Sequence, residues 1–463
     1  MSVDVGYTAG SFLPQWRSVT DRLVRFGANA VLATALLPYV SPIVVPDMVV
    51  QLTALGTSVG ILFVLLFFAR RTLSFRREDL IILSLGLLSL LYVNPNVAFK
   101  DLPATLRACG QIAMAFPVYY AVRNLYQYMS PRVFVGVVAV YCGALFLQMW
   151  LPSIYASTFA HMLSDTRWFP EDGRGPNGLC TEPSMMGNMC ILFTISLYFF
   201  HREYWKSHRY AAYFVVAASS VMLVITKSGT GVVLALVVAL AALLSSRMSR
   251  VAKCAILATS LLLLVSLGRS LSASDSRGAS VLSGVASNPL WILNEYSFAD
   301  RLLGLYVGIH QISSQPFGSF DVQIDPDATD RALDGDVAAH VWPDSSFRSL
   351  LSDLRALRYD NHGTGAVVER MGILGALIIL MLMVYPRGFH GKWVVRAYIV
   401  GILLNASLFI STLWFVIACC AELQRTENDT SRIRALSIRK GPDARLKRSR
   451  QWEAGFDVRS STG

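Results

Sequence analysis

Charge is scarce in this chain. Asp, Glu, Lys and Arg make up 15% of its 463 residues and hydrophobic residues 54%, with a mean hydropathy of +0.48; an ordinary soluble domain carries about 25% charged residues. Cysteine is sparse too. The seven cysteines are scattered, and Cys109, Cys142, Cys190, Cys254, Cys419 and Cys420 fall in or beside apolar segments. No metal-ligand spacing and no disulfide framework emerges from them, and they read as small buried hydrophobes. No short hydrophobic core followed by a small-residue cleavage site opens the chain, so a removable signal peptide is not expected. The net charge of +11 does not point to nucleic acid, because the basic residues lie between apolar segments and at the C-terminus, where an anionic lipid surface attracts them.

Apolar runs dominate what is present. A membrane span needs roughly 20 mainly apolar residues, and runs near 28–46, 50–69, 78–94, 106–124, 132–151, 185–201, 210–226, 230–246, 252–268 and 365–385 approach that length, with a longer stretch over 393–421. Basic clusters at Arg17, Arg22 and Arg25, at Arg70, Arg71, Arg76 and Arg77, at Arg123 and Arg132, and from Arg202 to Arg209 alternate with weakly charged loops. By the positive-inside rule these clusters are cytoplasmic, and the loops 152–184 and 269–364 are external. The tail from Arg425 holds ten Arg or Lys against five Asp or Glu. It belongs inside only if 393–421 forms two helices turning near Asn405, Ala406 and Ser407; a single tilted helix would put it outside. The resulting expectation is an all-α polytopic membrane protein of about 12 transmembrane helices. It has a cytoplasmic arm over 1–26, a membrane domain over 27–423, a large external loop with partly helical segments, and a basic, mostly disordered cytoplasmic tail over 424–463.

Chemistry-bearing residues gather in the two external loops. The first packs three glycines and two prolines into residues 170–178, which prevents a long helix. It carries Arg174, able to bind a diphosphate or carboxylate bidentately, and Asn177. Glu182-Pro183-Ser184 opens the next helix, with proline in the first turn and a carboxylate near the positive helix end. Pairing of Arg174 with Glu182 is the purely structural alternative. Lys227-Ser228-Gly229-Thr230-Gly231 forms a tight external turn, only superficially like a phosphate loop. The second loop holds twelve Asp or Glu and seven Arg or Lys. Arg301 lies in an apolar, amphipathic segment, with Glu295 and Asp300 as possible internal partners. The acidic stretch 321–336 lacks the calcium-loop pattern. The loop closes on Asn361-His362-Gly363, where a histidine suits proton transfer near neutral pH or is simply a polar loop residue. Glu369, about two turns into the following helix, needs a protein or aqueous partner.

Taken in order, the Glu182-Pro183-Ser184 segment, the Ser228-to-Gly231 turn, Arg301 with Pro316-Phe317-Gly318, and Asn361-His362 leading to Glu369-Arg370-Met371-Gly372 resemble the bacterial O-antigen polymerase and O-antigen ligase superfamily, with Glu-Pro-Ser nearer the exopolysaccharide polymerase branch. The resemblance implies a metal-independent, cofactor-free glycosyltransferase of the inner membrane. It would polymerise undecaprenyl-diphosphate-linked repeat units at the periplasmic face, with a flippase and a chain-length regulator as further partners. Arg174 and Arg301 would then bind the donor diphosphate, His362 would be the base, and Glu182 would support Arg174 or the acceptor. Asn177, Lys227, Asn361 and Glu369 would line the substrate site. A ligase acting on a lipid A core is the enzyme alternative, and a transporter of an anionic or lipid-linked cargo is the alternative from another class.

Overall fold

The computed structural model describes residues 13–44, 50–67, 73–76, 79–84, 87, 102–163, 175–200, 202–246, 248–256, 259, 283–284, 287–288, 293, 296–318, 326–357, 364–387, 391–405 and 410–439. Every regular element among them is helical. Helix α1 is Leu13–Ala35, α2 is Thr53–Phe67, α3 is Leu102–Leu125, α4 is Pro131–Trp150 and α5 is Pro152–Thr158. Helix α6 spans Pro183–Ser196, α7 Arg202–Ser207, α8 Arg209–Ile225 and α9 Gly229–Ser245. Helices α10 to α13 cover Tyr296–Ile312, Pro326–Leu333, Asp336–Val341 and Ser345–Leu357. Thr364–Val384, Lys392–Asn405 and Ser411–Arg439 are α14, α15 and α16.

Helix α6 is the hub. Its residues are apolar on almost every side, and eleven of its fourteen are buried, as expected for a helix with no polar face. It packs against α8, α9 and α15. Where α6 crosses α9 the backbones nearly touch: a Cβ on Gly187 would stand 2.8 Å from Gly231 Cα and 3.0 Å from Ser228 Oγ. Only glycine on both helices permits that approach. Around the hub, Phe134, Tyr141, Phe193 and Phe200 interlock, with ring centroids 5.1–6.2 Å apart. A fully buried aromatic or aliphatic side chain of this kind contributes about 1.5–3 kcal/mol relative to exposure. Helix starts are capped locally: Ser130 accepts from Arg132 N–H ahead of Pro131, and Ser228 accepts from Gly231 N–H at 3.0 Å, each satisfying an orphan first-turn amide.

The twelve-span architecture is corrected by the helices themselves. Among the described residues one helix, Pro131–Trp150, is long and apolar enough to cross a membrane; Thr53–Phe67, Arg209–Ile225, Gly229–Ser245, Leu302–Ile312 and Met371–Val384 are apolar but shorter. In some of the runs the physical reason is a helix end or break inside the run, and the runs near 78–94 and 252–268 lie largely outside the described residues. The run over 28–46 stops being helical at Ala35, ahead of Pro38, and α1 itself reaches back to Leu13 through the segment read as an arm. The run over 365–385 is broken at Gly372, whose φ of 54° and ψ of −131° lie outside the helical region. There the amide of Ile373 leaves the helix and donates to Pro316 O at 2.9 Å, and a side chain on Gly372 would collide with the Pro316 carbonyl. The stretch 393–421, expected as two helices turning near Asn405, falls into α15 and the start of α16. Beyond it α16 stays helical to Arg439, where the composition of the tail suggests disorder.

The long acidic segment builds a satellite of its own. Ala299, Leu303, Val307, Ala332, Leu333, Ala338, Trp342 and Leu351, from α10 to α13, form a second apolar core. Trp342 Nε1 donates to Leu293 O at 2.8 Å, and Arg348 donates to Trp342 O at 2.7 Å. Helix α10 lies along α14 and fastens this satellite to the main bundle.

Candidate functional site

One pole of the bundle gathers the end of α1, the ends of α4 and α8, and the starts of α6, α9 and α16. Shared hydrogen bonds tie it together. Gln51 N–H donates to Pro38 O, Ser41 N–H to Met162 O and Ser411 Oγ to Ala35 O. The segment 175–182 is held in this pole by a neutral network. Gln148, the one amide side chain in the last turns of α4, accepts from the N–H groups of Asn177 and Gly178 at 3.0 and 2.7 Å and donates to Asn177 Oδ1 at 2.6 Å. Asn177 Nδ2 donates to Cys180 O, and the Tyr155 hydroxyl donates to Gly178 O, both at 2.5 Å. With Asn177 at 0% exposure, every polar atom of its side chain is used inside the protein. Its geometry is that of a residue shaping the loop, because a buried amide must find partners.

Glu182 caps α6 with extended backbone and gives its side chain to no first-turn amide. Its Oε2 accepts from Ser184 Oγ at 3.1 Å. Buried Tyr39 has Glu182, Tyr398 and Cys180 as neighbours. Burial pushes the Tyr39 phenol well above its ordinary value, with Cys180, Tyr398 and Glu182 adding to the rise. Burial likewise raises the Cys180 thiol, with Cys190 adding to the rise and a hydrogen bond to Tyr141 opposing it. Both groups are therefore neutral near pH 7 and unsuited to act as base or nucleophile. The Tyr398 hydroxyl and Asn188 Oδ1 are buried without a hydrogen-bond partner among the described residues.

Lys227 closes α8 with a φ of 47°, the one positive φ outside glycine among the described residues. Its side chain is exposed. Gly175, next in the chain to Arg174, lies against the carbonyls of Ile225 and Thr226, just before Lys227. The sequence-selected Asn177, Glu182 and Lys227 thus belong to one pole. Glu369 lies on α14, buried at 6% exposure, one turn before the break at Gly372. Arg301 is part of α10. Arg174, Asn361 and His362 lie outside the described residues. Sequence reasoning missed Gln148, Tyr39 and Tyr398. The signal for Gln148 was available, since an amide isolated in an apolar run needs a buried partner.

The opposite pole is charged. Arg123 and Asp79, both side chains at 0% exposure, form an ion pair at 2.5 Å, and Arg123 also donates to the Ser74 carbonyl and, at 3.1 Å, to Ser74 Oγ. Asp79 Oδ2 accepts from Arg76 N–H at 2.6 Å, and Arg76 reaches Glu422 on α16 at 3.0 Å. Arg76 and Arg123, read from sequence as loop charges facing a lipid leaflet, are therefore structural members of a helix junction.

Comparison with protein-family models, with curated proteins and with solved structures gave no match. Polymerisation, ligation or transport by a polytopic inner-membrane protein rests on the twelve-span frame, and that frame is not what the helices form. The expected membrane glycosyltransferase activity and multi-pass inner-membrane placement are corrected with it, and no family match supplies another basis. No group of three or more His, Cys, Asp or Glu able to hold a metal occurs among the described residues.

Proposed function

We propose that this protein is a binding protein for amphiphiles, holding lipid hydrocarbon against the outer faces of its helices and a polar head at the pole formed by residues 175–182 and 226–229. One observation carries the reading: helices that already bury one apolar face expose a second. On α8, Val215, Ala218, Ser219 and Met222 face the bundle, while Tyr213 is 64% and Val224 76% exposed. On α9, Leu234 and Val238 are buried, yet Leu240 and Leu244 are exposed, and the helix contains no charged residue. Phe63 and Phe67 on α2 and Leu377 and Leu380 on α14 repeat the pattern.

Exposed apolar surface on this scale marks an interaction site. The four helices neighbour different parts of the bundle, α8 and α9 on α6, α2 on α1 and α3, and α14 on α10 and α15. One rigid partner covers one face, whereas fluid acyl chains cover all four. At the polar pole, Lys227 supplies a cation and Glu182 an acceptor. Lipid-linked glycans with a diphosphate, the ligand class implied by the family resemblance, fit such a tail-and-head arrangement.

The test uses the exposed Trp150 and Trp393, 71% and 53% exposed, against the buried Trp414 at 2%. Full-length protein is mixed with phosphatidylcholine carrying brominated acyl chains, and tryptophan emission is followed. Quenching that falls in a Trp150→Phe, Trp393→Phe double variant is the expected result. Emission unchanged by brominated lipid, with protein monodisperse in buffer alone, would sink the proposal.

A further inference from the structure

We infer that the charged pole carries a basic, aromatic rim that seats anionic phospholipid headgroups; the inference rests on the lipid-binding reading and adds the headgroup class. Its parts come from separate stretches of chain that the fold joins. Helix α6 ends at Ser196, and Trp205 Nε1 on α7 donates back to Leu197 O at 3.0 Å. Gly391, just before α15, lies against the Tyr198 ring, its Cβ position 3.1 Å from Cδ1. The start of α15 is thereby set beside the turn leading into α7 and α8.

Three cation and aromatic pairs, on two rings, stand on this surface. The Arg209 guanidinium lies 5.4 Å from the Tyr210 ring, and the Trp393 ring is flanked by Arg396 at 4.7 Å and Lys392 at 5.9 Å. Tyr210 is 75% and Trp393 53% exposed. The sequence reinforces the charge: residues 197–213 hold Arg202, Lys206 and Arg209 against Glu203, and residues 384–400 hold Arg387, Lys392 and Arg396 with no acid.

The occupant follows from the chemistry. A surface of Trp and Tyr suits the boundary between hydrocarbon and water, and it adjoins Tyr213 and Phe214 on the outer face of α8. Basic residues there are drawn to anionic lipid, each contributing a salt-dependent attraction. Nucleic acid would match the charge alone and leave the apolar margin uncovered.

The experiment is flotation of the full chain with vesicles of pure phosphatidylcholine and of phosphatidylcholine with phosphatidylglycerol, at low and high salt. Wild type is expected to prefer the anionic vesicles, less so in high salt. The Arg209→Gln, Lys392→Gln variant is expected to lose roughly ten- to thirtyfold of that preference while keeping its binding to phosphatidylcholine. Arg396 is left in place because it donates to Pro386 O and Val384 O. The Arg209→Lys, Lys392→Arg variant, which keeps both charges, should behave as wild type and so separates charge loss from misfolding. Equal binding to both vesicles by wild type, or an undiminished anionic preference in the Gln variant, overturns the rim. Binding to neither vesicle overturns the lipid-binding reading itself.

Discussion

The two poles of the bundle solve the same problem with different chemistry. At one, a loop that cannot form a helix is held by neutral amides, Gln148 against Asn177 and the 177–178 backbone. At the other, three chain segments are joined by ions, Arg123 with Asp79 and Arg76 with Glu422. The neutral network satisfies each atom locally and fixes the segment that leads to Glu182. The ionic network gives a stronger junction, but only while both partners are present, because desolvated charge is costly when alone. The difference teaches where adaptability is to be expected: the neutral pole tolerates change in its neighbours, and the ionic pole does not.

The sharpest way to break the comparison is Asp79→Ala. It leaves Arg123 buried without its counterion and Arg76 N–H without its acceptor, and a loss of about 3–5 kcal/mol is expected in chemical denaturation. The Asp79→Leu, Arg123→Met double variant should lose clearly less than Asp79→Ala alone. A double variant as unstable as the single one would mean that the pair is worth more than its isosteric replacement, contrary to this account.

Gln148→Ala tests the neutral pole. It strips partners from Asn177 Oδ1 and from two backbone amides, and a cost of about 2–3 kcal/mol is expected, smaller than at Asp79 because no charge is stranded. Amide hydrogen exchange should show Asn177 and Gly178 losing protection while α3 and α16 keep theirs. Loss of protection spread over both poles would contradict the separation drawn here.

How far these poles could be read beforehand depends on what kind of information each needed. Helix positions are legible: the apolar runs at 132–151, 210–226 and 230–246 coincide closely with α4, α8 and α9. Their length as spans was not, because the breaks come from tertiary contacts, as when Pro316 takes the amide of Ile373. Arg123 shows the limit best. On sequence it is one more base in an alternating series, and nothing in that series reveals that Asp79, forty-four residues earlier, removes it from solvent. Asn177 was singled out for a ligand, whereas its partner Gln148, an isolated amide in an apolar helix, carried the clearer signal of where the loop docks. The grouping of Asn177, Glu182 and Lys227 followed from their order between apolar runs; Tyr398, beside Tyr39, comes from the far end of the chain.

Arg76→Ala measures the outer edge of the ionic pole. Arg76 Nη1 lies 3.0 Å from Glu422 Oε1, with side-chain exposures of 24% and 12%, but Oε1 accepts no aligned hydrogen bond. The attraction is therefore partly screened, and a loss of about 1 kcal/mol is expected from the thermal midpoint. A loss as large as that of Asp79→Ala would mean that the junction acts as one cooperative unit rather than a buried pair with a weaker fringe.

Arg425→Ala carries the smallest expected effect and tests whether the fringe has an end. Arg425 also points at Glu422, through Oε2 at 3.5 Å within α16, but its side chain is 55% exposed. Water competes for its guanidinium, and ordering a long side chain offsets most of what the contact gains. A change of about 0–0.3 kcal/mol is expected, with no difference between low and high salt beyond that amount. If Arg425→Ala matched Arg76→Ala, Glu422 would be serving both arginines equally and the boundary of the ionic pole would lie beyond Arg425 along α16. If Arg425→Ala is silent while Arg76→Ala is not, burial rather than proximity decides which of two ion pairs to the same carboxylate holds the helices together.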